Sequence, residues 1–476
     1  MTEDAPGVDG LPGRRALRPL VGVLAAIAVS LTGTRVSAIA LPWFVLVTTG
    51  SATQTGLVVF CEMTPYVVVK AFTGPLVDRI GPRIVSWITD LASAAAAAAV
   101  PLFQSLGLLS FPLLLVLVAL IGAARGPGDL AKEVMVPEAA ERGRVPLERA
   151  MGLSGMTERL ASTIGPAIGG TLVALLGPLT GLVANAVCFA LGSVIVGLAL
   201  PRGMGHGAEL GPSQAEAPGP GYWRQFGEGF GFLRGQPLLL TVIIMVGITN
   251  LLDAGFIMVL MPVWAKESGN GPTAIGLLVS VMGASAVTGS LIAAVAAHKL
   301  RRRMVLFTGF LLAGAPKFLI LATDAPMGAV LAVFAISGLG AGFLNPVLGA
   351  VLFERVPRRM LGRVGALGDS LAWAGIPLGG LIAGAAVAYV GLVPVLLAGG
   401  ITYFLTTNLA GLRPEWREMD RVNGRGGIDI DQLQCRITML EQKVVELTGR
   451  LEELDHELDA ARAANREPFT SMNKQR

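Results

Sequence analysis

The segment Gly74-Pro75-Leu76-Val77-Asp78-Arg79-Ile80-Gly81-Pro82-Arg83 is the part of the sequence that says most about the fold. It lies between two long apolar runs and holds most of the charge in its neighbourhood. Its glycines permit close helix contact and a tight backbone turn. Its aspartate can meet a cation or a helix N-terminus, and its arginines can reach an anionic membrane surface. We therefore predict a charged turn between two membrane helices.

The composition supports a membrane protein. Of 476 residues, 53% are hydrophobic and 15% are charged, with a mean hydropathy of +0.65, whereas soluble domains carry about 25% charged residues. Twelve apolar stretches are long enough for membrane helices of about 20 residues. The predicted fold class is therefore an all-α membrane protein with twelve transmembrane helices. These predicted helices, called spans 1 to 12, cover 19–47, 54–77, 83–104, 107–134, 149–176, 179–200, 237–264, 272–297, 303–323, 326–353, 363–389 and 391–412.

The basic residues lie mainly in alternate loops. Lys and Arg are concentrated after spans 2, 4, 6, 8 and 10, whereas the other loops hold little more than Lys266. Because basic loops remain on the cytoplasmic side, both termini are predicted to be cytoplasmic in a multi-pass protein of the plasma (inner) membrane. The net charge of +4 belongs to helix ends, so the expected partner is the lipid bilayer and not a nucleic acid.

The two sets of six spans look related. A Val-Pro pair and a basic loop precede span 5 at 136–137 and span 11 at 356–357, and the Gly/Pro-rich stretch 165–170 is echoed by 375–380. Such a repeat is what a transporter with two pseudo-symmetric six-helix halves requires. The predicted divisions are a disordered N-terminus (1–18), the first half (19–200), a linker with an interfacial helix (201–236), the second half (237–412), a linker (413–429), a coiled coil (430–462) and a disordered tail (463–476).

The stretch 74–83 resembles the signature Gly-x-x-x-Asp-Arg-x-Gly-x-[Arg/Lys] between the second and third helices of major facilitator superfamily transporters. The resemblance implies a conformational gate formed by Gly74, Asp78, Arg79, Gly81 and Arg83. Span 5 looks like the antiporter signature of drug-exporting facilitators, a kinked, close-packed helix that lets the halves rock. Its matching residues are Gly152, Gly165, Pro166, Gly169 and Gly170, with Ala161 in place of one usual glycine.

Two further matches point to one branch of this superfamily. Together with the gate stretch, Ala40-Leu41-Pro42-Trp43 and Thr49-Gly50-Ser51-Ala52 resemble drug:proton antiporters of the macrolide-efflux and siderophore-exporter type. The resemblance covers about residues 20–412 and leaves out the C-terminal tail. It implies that spans 1 and 7 line a central cavity, with span 2 at its border.

Three ionisable residues are predicted to lie near the middle of the membrane, namely Arg35 in span 1, Glu62 in span 2 and Asp253 in span 7. Each costs on the order of 3 kcal/mol there, so it needs a partner or a watery cavity. One carboxylate could stay paired with Arg35 while the other binds a proton or a cationic compound, since desolvation favours the protonated form. We predict that Glu62 and Asp253 carry proton coupling. The alternative is a static Arg35–Glu62 salt bridge with Asp253 in a pocket of water.

Other charges are predicted to lie closer to the cytoplasmic ends of their spans. Lys70 and Asp90 share one depth and are expected to form a structural pair. Arg125 and Glu158 share another depth, either as a structural pair or as members of a proton relay, and Arg125 partly resembles the span-4 arginine of drug antiporters. Lys317 is expected to reach outward or to meet a neighbour.

The C-terminal tail has a heptad pattern that is sustained over about four and a half heptads. The seam residues are Ile430, Leu433, Ile437, Leu440, Val444, Leu447, Leu451, Leu454 and Leu458. The choice of residues along the seam favours parallel dimers. We predict a cytoplasmic coiled coil that forms a parallel homodimer or pairs with another protein. The alternative is a solitary amphipathic helix on the membrane surface.

The predicted function is secondary active transport, in which a small amphipathic compound, a drug or natural product, leaves the cell by alternating access in exchange for protons. The alternatives are an importer or lipid flippase on the same fold, or a transporter-like sensor or scaffold that signals through the coiled coil. The chain has no Gly-x-x-x-x-Gly-Lys-[Ser/Thr] stretch, so ATP-driven transport is disfavoured. Nor does the sequence suggest an enzyme, a metal site, or a cofactor beyond the proton gradient.

Overall fold

A computed structural model describes residues 14–201, 204, 230–296, 301–356, 361–413, 416, 439, 441–443 and 447–450. The chain separates into two units, Met1–Trp416 and Arg417–Arg476. In the second unit the described residues are helical, and Leu447 is the one seam residue among them. The other seam residues lie outside the described ranges, so the coiled coil stays a prediction.

Within the described ranges, twelve helical spans are long and apolar enough to cross a membrane, as predicted. Their bounds are Arg14–Thr49, Ala52–Phe72, Pro82–Ser105, Phe111–Arg142, Leu147–Leu176, Pro178–Ala199, Pro237–Glu267, Gly271–Ala296, Arg302–Leu321, Met327–Arg355, Leu361–Trp373 continued by Ile376–Val390, and Leu392–Leu412. Span 4 continues to Arg142, about two turns beyond the predicted end at 134. The longer span 4 therefore holds Asp129, Lys132 and Glu133 within the helix and not at its end.

Three spans of the second half are interrupted, although the sequence predicted unbroken helices. Span 7 runs as Pro237–Gly255, a π-helical turn Phe256–Leu260 and Met261–Glu267, span 9 as Arg302–Ala313 and Ala315–Leu321, and span 11 as Leu361–Trp373 and Ile376–Val390. The break in span 9 falls at Gly314, where a Cβ atom would overlap the ring of Tyr403. Such interruptions are frequent at functional sites.

The gate stretch forms a helix where a turn was predicted. Gly74–Ile80 is a seven-residue helix, and the reversal is confined to Gly81, whose φ of 92° favours glycine. Arg79 is exposed, whereas the guanidinium of Arg83 donates to the carbonyl oxygens of Gly197 (2.8 Å) and Leu200 (3.1 Å). Arg83 therefore caps the end of span 6 and does not reach for lipid. The side chain of Asp78 lies outside the described part, so the gate itself stays a prediction.

The packing of the spans repeats between the two halves. In the first half, span 1 contacts spans 5 and 6, span 4 contacts spans 2 and 3, and span 3 contacts span 6. In the second half, span 7 contacts spans 11 and 12, span 10 contacts spans 8 and 9, and span 9 contacts span 12. Arg303, in the first turn of span 9, donates to the carbonyl oxygen of Gly411 near the end of span 12 at 3.2 Å. Arg83, in the first turn of span 3, makes the equivalent contact with the end of span 6. This is the pattern that two pseudo-symmetric halves require.

The halves meet along two helix pairs, spans 5 and 8 and spans 2 and 11. A Cβ atom on Gly56 would overlap the carbonyl oxygen of Gly380, and one on Gly276 would overlap that of Pro166. These contacts lie towards the end of the bundle where the loops between spans 1 and 2 and between spans 7 and 8 are found. At the same end, Lys266 Nζ donates to the carbonyl oxygen of Leu46 at 2.9 Å. We call this the closed end.

Of the predicted linker 201–236, the structure describes residues 201, 204 and 230–236. Residues 230–234 are helical, with Phe230 exposed and Leu233 fully buried. Trp223 and Phe226, on which the predicted interfacial helix also depended, lie outside the described residues. The interfacial helix therefore stays a prediction.

Candidate functional site

A cavity lies between the two halves. Its central compartment, about 240 Å³, is lined by side chains from spans 1, 2, 4, 7 and 11. A charged compartment of about 180 Å³ adjoins it in the first half, and Arg35, Tyr66, Asp129 and Trp373 line both. The ionisable residues found only in the charged compartment are Lys70, Lys132, Glu133 and Glu158. Since Lys70 is near the end of span 2, the cavity extends away from the closed end.

Arg125 is the centre of the ionic contacts beside the central compartment. Its Nη1 is 3.3 Å from Glu62 Oε1, and its Nε is 3.7 Å from Asp129 Oδ2. The guanidinium carbon lies 4.1 Å from the ring centre of Tyr66, whose hydroxyl donates to Asp129 Oδ2 at 3.4 Å. Glu62 therefore pairs with Arg125, so the alternative of a static Arg35–Glu62 salt bridge is not observed. A cation stacked on an aromatic face and shared by two carboxylates is held firmly in place.

Arg35 and Glu158 face the charged compartment, and both side chains are exposed there. Neither forms an ion pair with any residue that the structure describes. Of the two alternatives for Arg125 and Glu158, the structural pair is therefore not formed. Both residues are left accessible to a proton or a small ligand that enters the cavity, and their predicted roles in coupling stay predictions.

The prediction that Lys70 pairs with Asp90 is wrong. Each of these residues instead pairs with a residue of span 4. Lys70 Nζ lies 3.0 Å from Glu133 Oε1, and Lys132 Nζ lies 2.7 Å from Asp90 Oδ1. The Lys132–Asp90 pair is almost completely buried, with side-chain exposures of 2% and 1%, whereas the Lys70 and Glu133 side chains are 26% and 50% exposed. The two pairs have the same chemistry in very different surroundings.

Sequence reasoning missed Asp129, Lys132 and Glu133. These residues were close to the predicted end of span 4, where charges are ordinary, but the helix continues to Arg142, so they lie within the helix and contact spans 2 and 3. The available signal was their spacing, because Arg125, Asp129 and Lys132 follow one another at four and three residues and so share a helix face.

Asp253 lies in a second ionic site in the other half. Its Oδ1 is 2.7 Å from Lys317 Nζ of span 9, with side-chain exposures of 30% and 5%. The ammonium lies 5.5 Å from the ring centre of Phe256, 5.9 Å from that of Phe318 and 5.7 Å from that of Tyr403. The expectation that Lys317 meets a neighbour is confirmed. The grouping of Asp253 with Arg35 and Glu62 is not observed, because Asp253 is held by Lys317.

Four of the five predicted span-5 residues lie at helix contacts. A Cβ atom would come within 2.6 Å of Arg35 Cβ at Gly165 and within 2.9 Å of Val36 Cα at Gly169. Gly170 faces Gly276 of span 8, and so does the carbonyl of Pro166. Span 5 thus packs on span 1 with one face and on the other half with another. Gly152 instead faces open space.

A third, apolar compartment of about 380 Å³ lies between spans 7, 10 and 11 of the second half. Its polar side chains are Asn250 and Asn345, and no charged residue lines it among those described. Trp373 lines this compartment as well as the other two and so lies where they adjoin. The cavity system therefore has an ionic side and an apolar side.

A metal centre is not evident in the described ranges. No group of three or more His, Cys, Asp or Glu side chains there could hold a metal ion. The chemistry of the site consists of ion pairs, proton acceptors and aromatic surface.

The comparisons with known proteins agree with this architecture. A family model for the Major Facilitator Superfamily matches residues 23–252 and 243–427. The multidrug efflux pump Tap of Mycobacterium tuberculosis strain H37Rv is 31% identical over 405 residues, which cover 84% of this chain and 95% of the relative. Tap of Mycolicibacterium fortuitum is 31% identical over 410 residues, 84% of this chain and 97% of the relative.

Among solved structures, a mutant of the nucleoside transporter NupG superposes with a TM-score of 0.67 at 13% identity, over 85% of this chain and 99% of that one. At this identity the likeness concerns the fold alone. The family that the gate stretch and span 5 suggested is confirmed by the family model and by the efflux-pump relatives. This chain belongs to the Major Facilitator Superfamily.

Proposed function

We propose that the protein is a secondary active exporter that moves small amphipathic compounds out of the cell in exchange for protons. Its relatives named multidrug efflux pump support the direction of transport. The observation that supports proton coupling is the unequal number of acidic and basic side chains around the cavity. Counting the residues that line the central and charged compartments, together with Asp90 behind Lys132, the carboxylates are Glu62, Asp90, Asp129, Glu133 and Glu158, and the cations are Arg35, Lys70, Arg125 and Lys132.

Five carboxylates facing four cations leave the cluster with one negative charge in excess. In a poorly hydrated site, one proton or one monovalent cationic compound restores the balance. Because the two compete for the same negative charge, binding of one favours release of the other, and this competition is the basis of exchange. Glu158, exposed and without an ion pair in the described region, is the most accessible proton acceptor.

Glu62 is the second coupling residue in this proposal. Its protonation would weaken the 3.3 Å contact with Arg125 and leave that guanidinium to Asp129. Asp253 was predicted to share this role. A part for Asp253 in coupling requires that Lys317 release it, so the second half would contribute only if that ion pair opens during the cycle.

Alternating access follows from where the halves touch. The tight glycine contacts seal the closed end, while the compartments extend towards the end with the basic loops. Since those loops are predicted to be cytoplasmic, the structure corresponds to a cavity that faces the cytoplasm and can load cargo. Exchange of one proton for one monovalent cation moves no net charge, so the pH difference drives it and supports about a tenfold concentration gradient per pH unit, or about 1.4 kcal/mol.

The experiment is uptake of a fluorescent cationic dye into inverted membrane vesicles with an acidic lumen. Gradient-driven accumulation is expected for the wild type and should be lost in Glu158→Gln and Glu62→Gln. Loss of dye accumulation in Asp253→Asn would show that the Asp253–Lys317 ion pair also takes part in coupling. Loss in Asp78→Asn would show that the gate is needed for transport. Asp324→Asn is the matched control, because this exposed carboxylate lies outside the three compartments.

Three results would change the proposal. Dye accumulation driven equally well by a sodium gradient without a pH difference would overturn proton coupling. Net dye movement out of the same vesicles would indicate an importer. Unchanged uptake in both glutamate variants would show that the charge imbalance has no part in coupling.

A further inference from the structure

Trp373 occupies an unusual position for a large aromatic residue inside a membrane bundle. It is the last residue of the helix Leu361–Trp373, where span 11 is interrupted, and its side chain is 46% exposed. Trp373 lines the central, charged and apolar compartments, so exposed surface of this residue belongs to the cavity. A ligand that occupies both the ionic side and the apolar side of the cavity would therefore contact Trp373.

The two sides that adjoin at Trp373 offer complementary chemistry. The charged compartment lies within the cluster that has one carboxylate in excess. The apolar compartment is lined mainly by aliphatic side chains. Of its two amides, Asn250 donates to the carbonyl oxygen of Ala372 at 3.0 Å, whereas Asn345 is exposed and makes no hydrogen bond with a described residue. Asn345 is therefore available to one polar group of a ligand.

We infer that the cargo site has two parts joined at Trp373, and that it selects organic monocations with a flat apolar body. The cationic end lies among the carboxylates of the charged compartment, with Glu158 the most accessible. The flat body stacks on the indole of Trp373 and continues into the apolar compartment, where Asn345 bonds one polar substituent. This inference rests on the proposed function and adds to it the class of cargo and the residue that determines specificity.

The size of the cavity fits such a cargo. The apolar compartment alone, at about 380 Å³, falls within the range of about 300–1,000 Å³ that is usual for ligand pockets. The charged compartment, at about 180 Å³, has room for a small ionic head. A compact cation without an apolar body would use only the charged part, where Trp373 is one lining residue, and it would have no flat surface to stack on the indole.

Gly349 provides a way to close the apolar part without disturbing the helix packing. It lines the apolar compartment on span 10, and a Cβ atom there would meet nothing within 4 Å. The leucine side chain of Gly349→Leu would therefore project into the compartment and occupy it without displacing a neighbouring residue. Two matched controls exist: Trp87 is 45% exposed but lines none of the three compartments, and Gly155 likewise has open space around its Cβ position.

The test compares ethidium, a flat aromatic monocation, with tetraethylammonium, a compact one, in vesicles containing each variant. Trp373→Ala should lower kcat/KM for ethidium on the order of tenfold, the loss expected when aromatic stacking is removed, and Gly349→Leu should lower it by filling the apolar compartment. Gly349→Leu should leave kcat/KM for tetraethylammonium unchanged, Trp373→Ala should lower it much less than for ethidium because only stacking is lost, and Trp373→Phe should keep most ethidium transport. Trp87→Ala and Gly155→Leu should behave as the wild type with both cations.

The outcomes separate this inference from the proposed function. Equal losses for both cations would mean that Trp373 and Gly349 act only on the structure, and the two-part site would be overturned. Unchanged ethidium transport in Trp373→Ala and Gly349→Leu would overturn it as well. A wild type that moves neither cation under a pH gradient, nor binds ethidium as a purified protein, would overturn the proposed function itself.

Discussion

Removing one partner of the buried pair of Asp90 and Lys132 should destabilise the protein far more than removing one partner of the exposed pair of Lys70 and Glu133, although both pairs link span 4 to a neighbouring span. With exposures of 1% and 2% and a separation of 2.7 Å, removal of either member of the buried pair leaves an uncompensated charge in the bundle. That costs about 3–5 kcal/mol. Removing one member of the exposed pair, at 26% and 50%, costs about 0–1 kcal/mol.

The measurement is a double-mutant cycle on each pair. Asp90→Asn and Lys132→Met should each lower the free energy of unfolding by several kcal/mol, and the double variant should recover most of the loss, because two neutral side chains need no ionic partner. The corresponding cycle of Lys70→Met and Glu133→Gln should show little coupling. Denaturation by SDS in mixed micelles reports the free energy, and where unfolding is irreversible the rate of thermal inactivation replaces it.

One result would refute this reasoning. If Asp90→Asn and Lys132→Met cost no more than Lys70→Met, or if the double variant were as unstable as the sum of the singles, burial would not be determining the strength of the pair. Since 1.4 kcal/mol corresponds to a factor of ten in the equilibrium constant, the expected difference of about 3 kcal/mol between the pairs is easily resolved.

The remaining predictions concern the helix contacts, the second ion pair and the tail. Gly56→Ala should abolish transport and increase cysteine labelling at the closed end, because its methyl group would overlap the carbonyl of span 11, whereas Gly155→Ala faces open space and should have no such effect. Asp253→Asn should lower thermal stability more than Lys317→Met, since it leaves an ammonium that is 5% exposed whereas the reverse change leaves a carboxylate that is 30% exposed; equal losses would contradict this. A peptide covering 425–465 should dimerise in analytical ultracentrifugation, and a monomer at high micromolar concentration would count against self-association.

The course of the twelve spans could be predicted because hydrophobic length is a local property of the sequence. The signature of the gate stretch is likewise a local property of the sequence, so it indicates the family without any knowledge of the contacts between helices. The breaks in spans 7, 9 and 11 could not be predicted, because glycine and proline occur in many spans and only some sit where a neighbour approaches. Span 9 is interrupted at Gly314, where the ring of Tyr403 on span 12 approaches. The sequence of span 9 alone does not show that this ring lies there.

The ion pairs could not be predicted because sequence supplies the depth of a charge but not the direction in which it points. Lys70 and Asp90 share a depth, yet they lie on spans 2 and 3, and both of these spans pack against span 4. Consecutive residues of a helix point about 100° apart, so Glu133 can face span 2 while Lys132 faces span 3. Each predicted partner is thereby taken by one of two adjacent residues on span 4. The predicted pair of opposite charges at one depth was reasonable chemistry assigned to the wrong neighbours, and only the order of helices around span 4 could correct it.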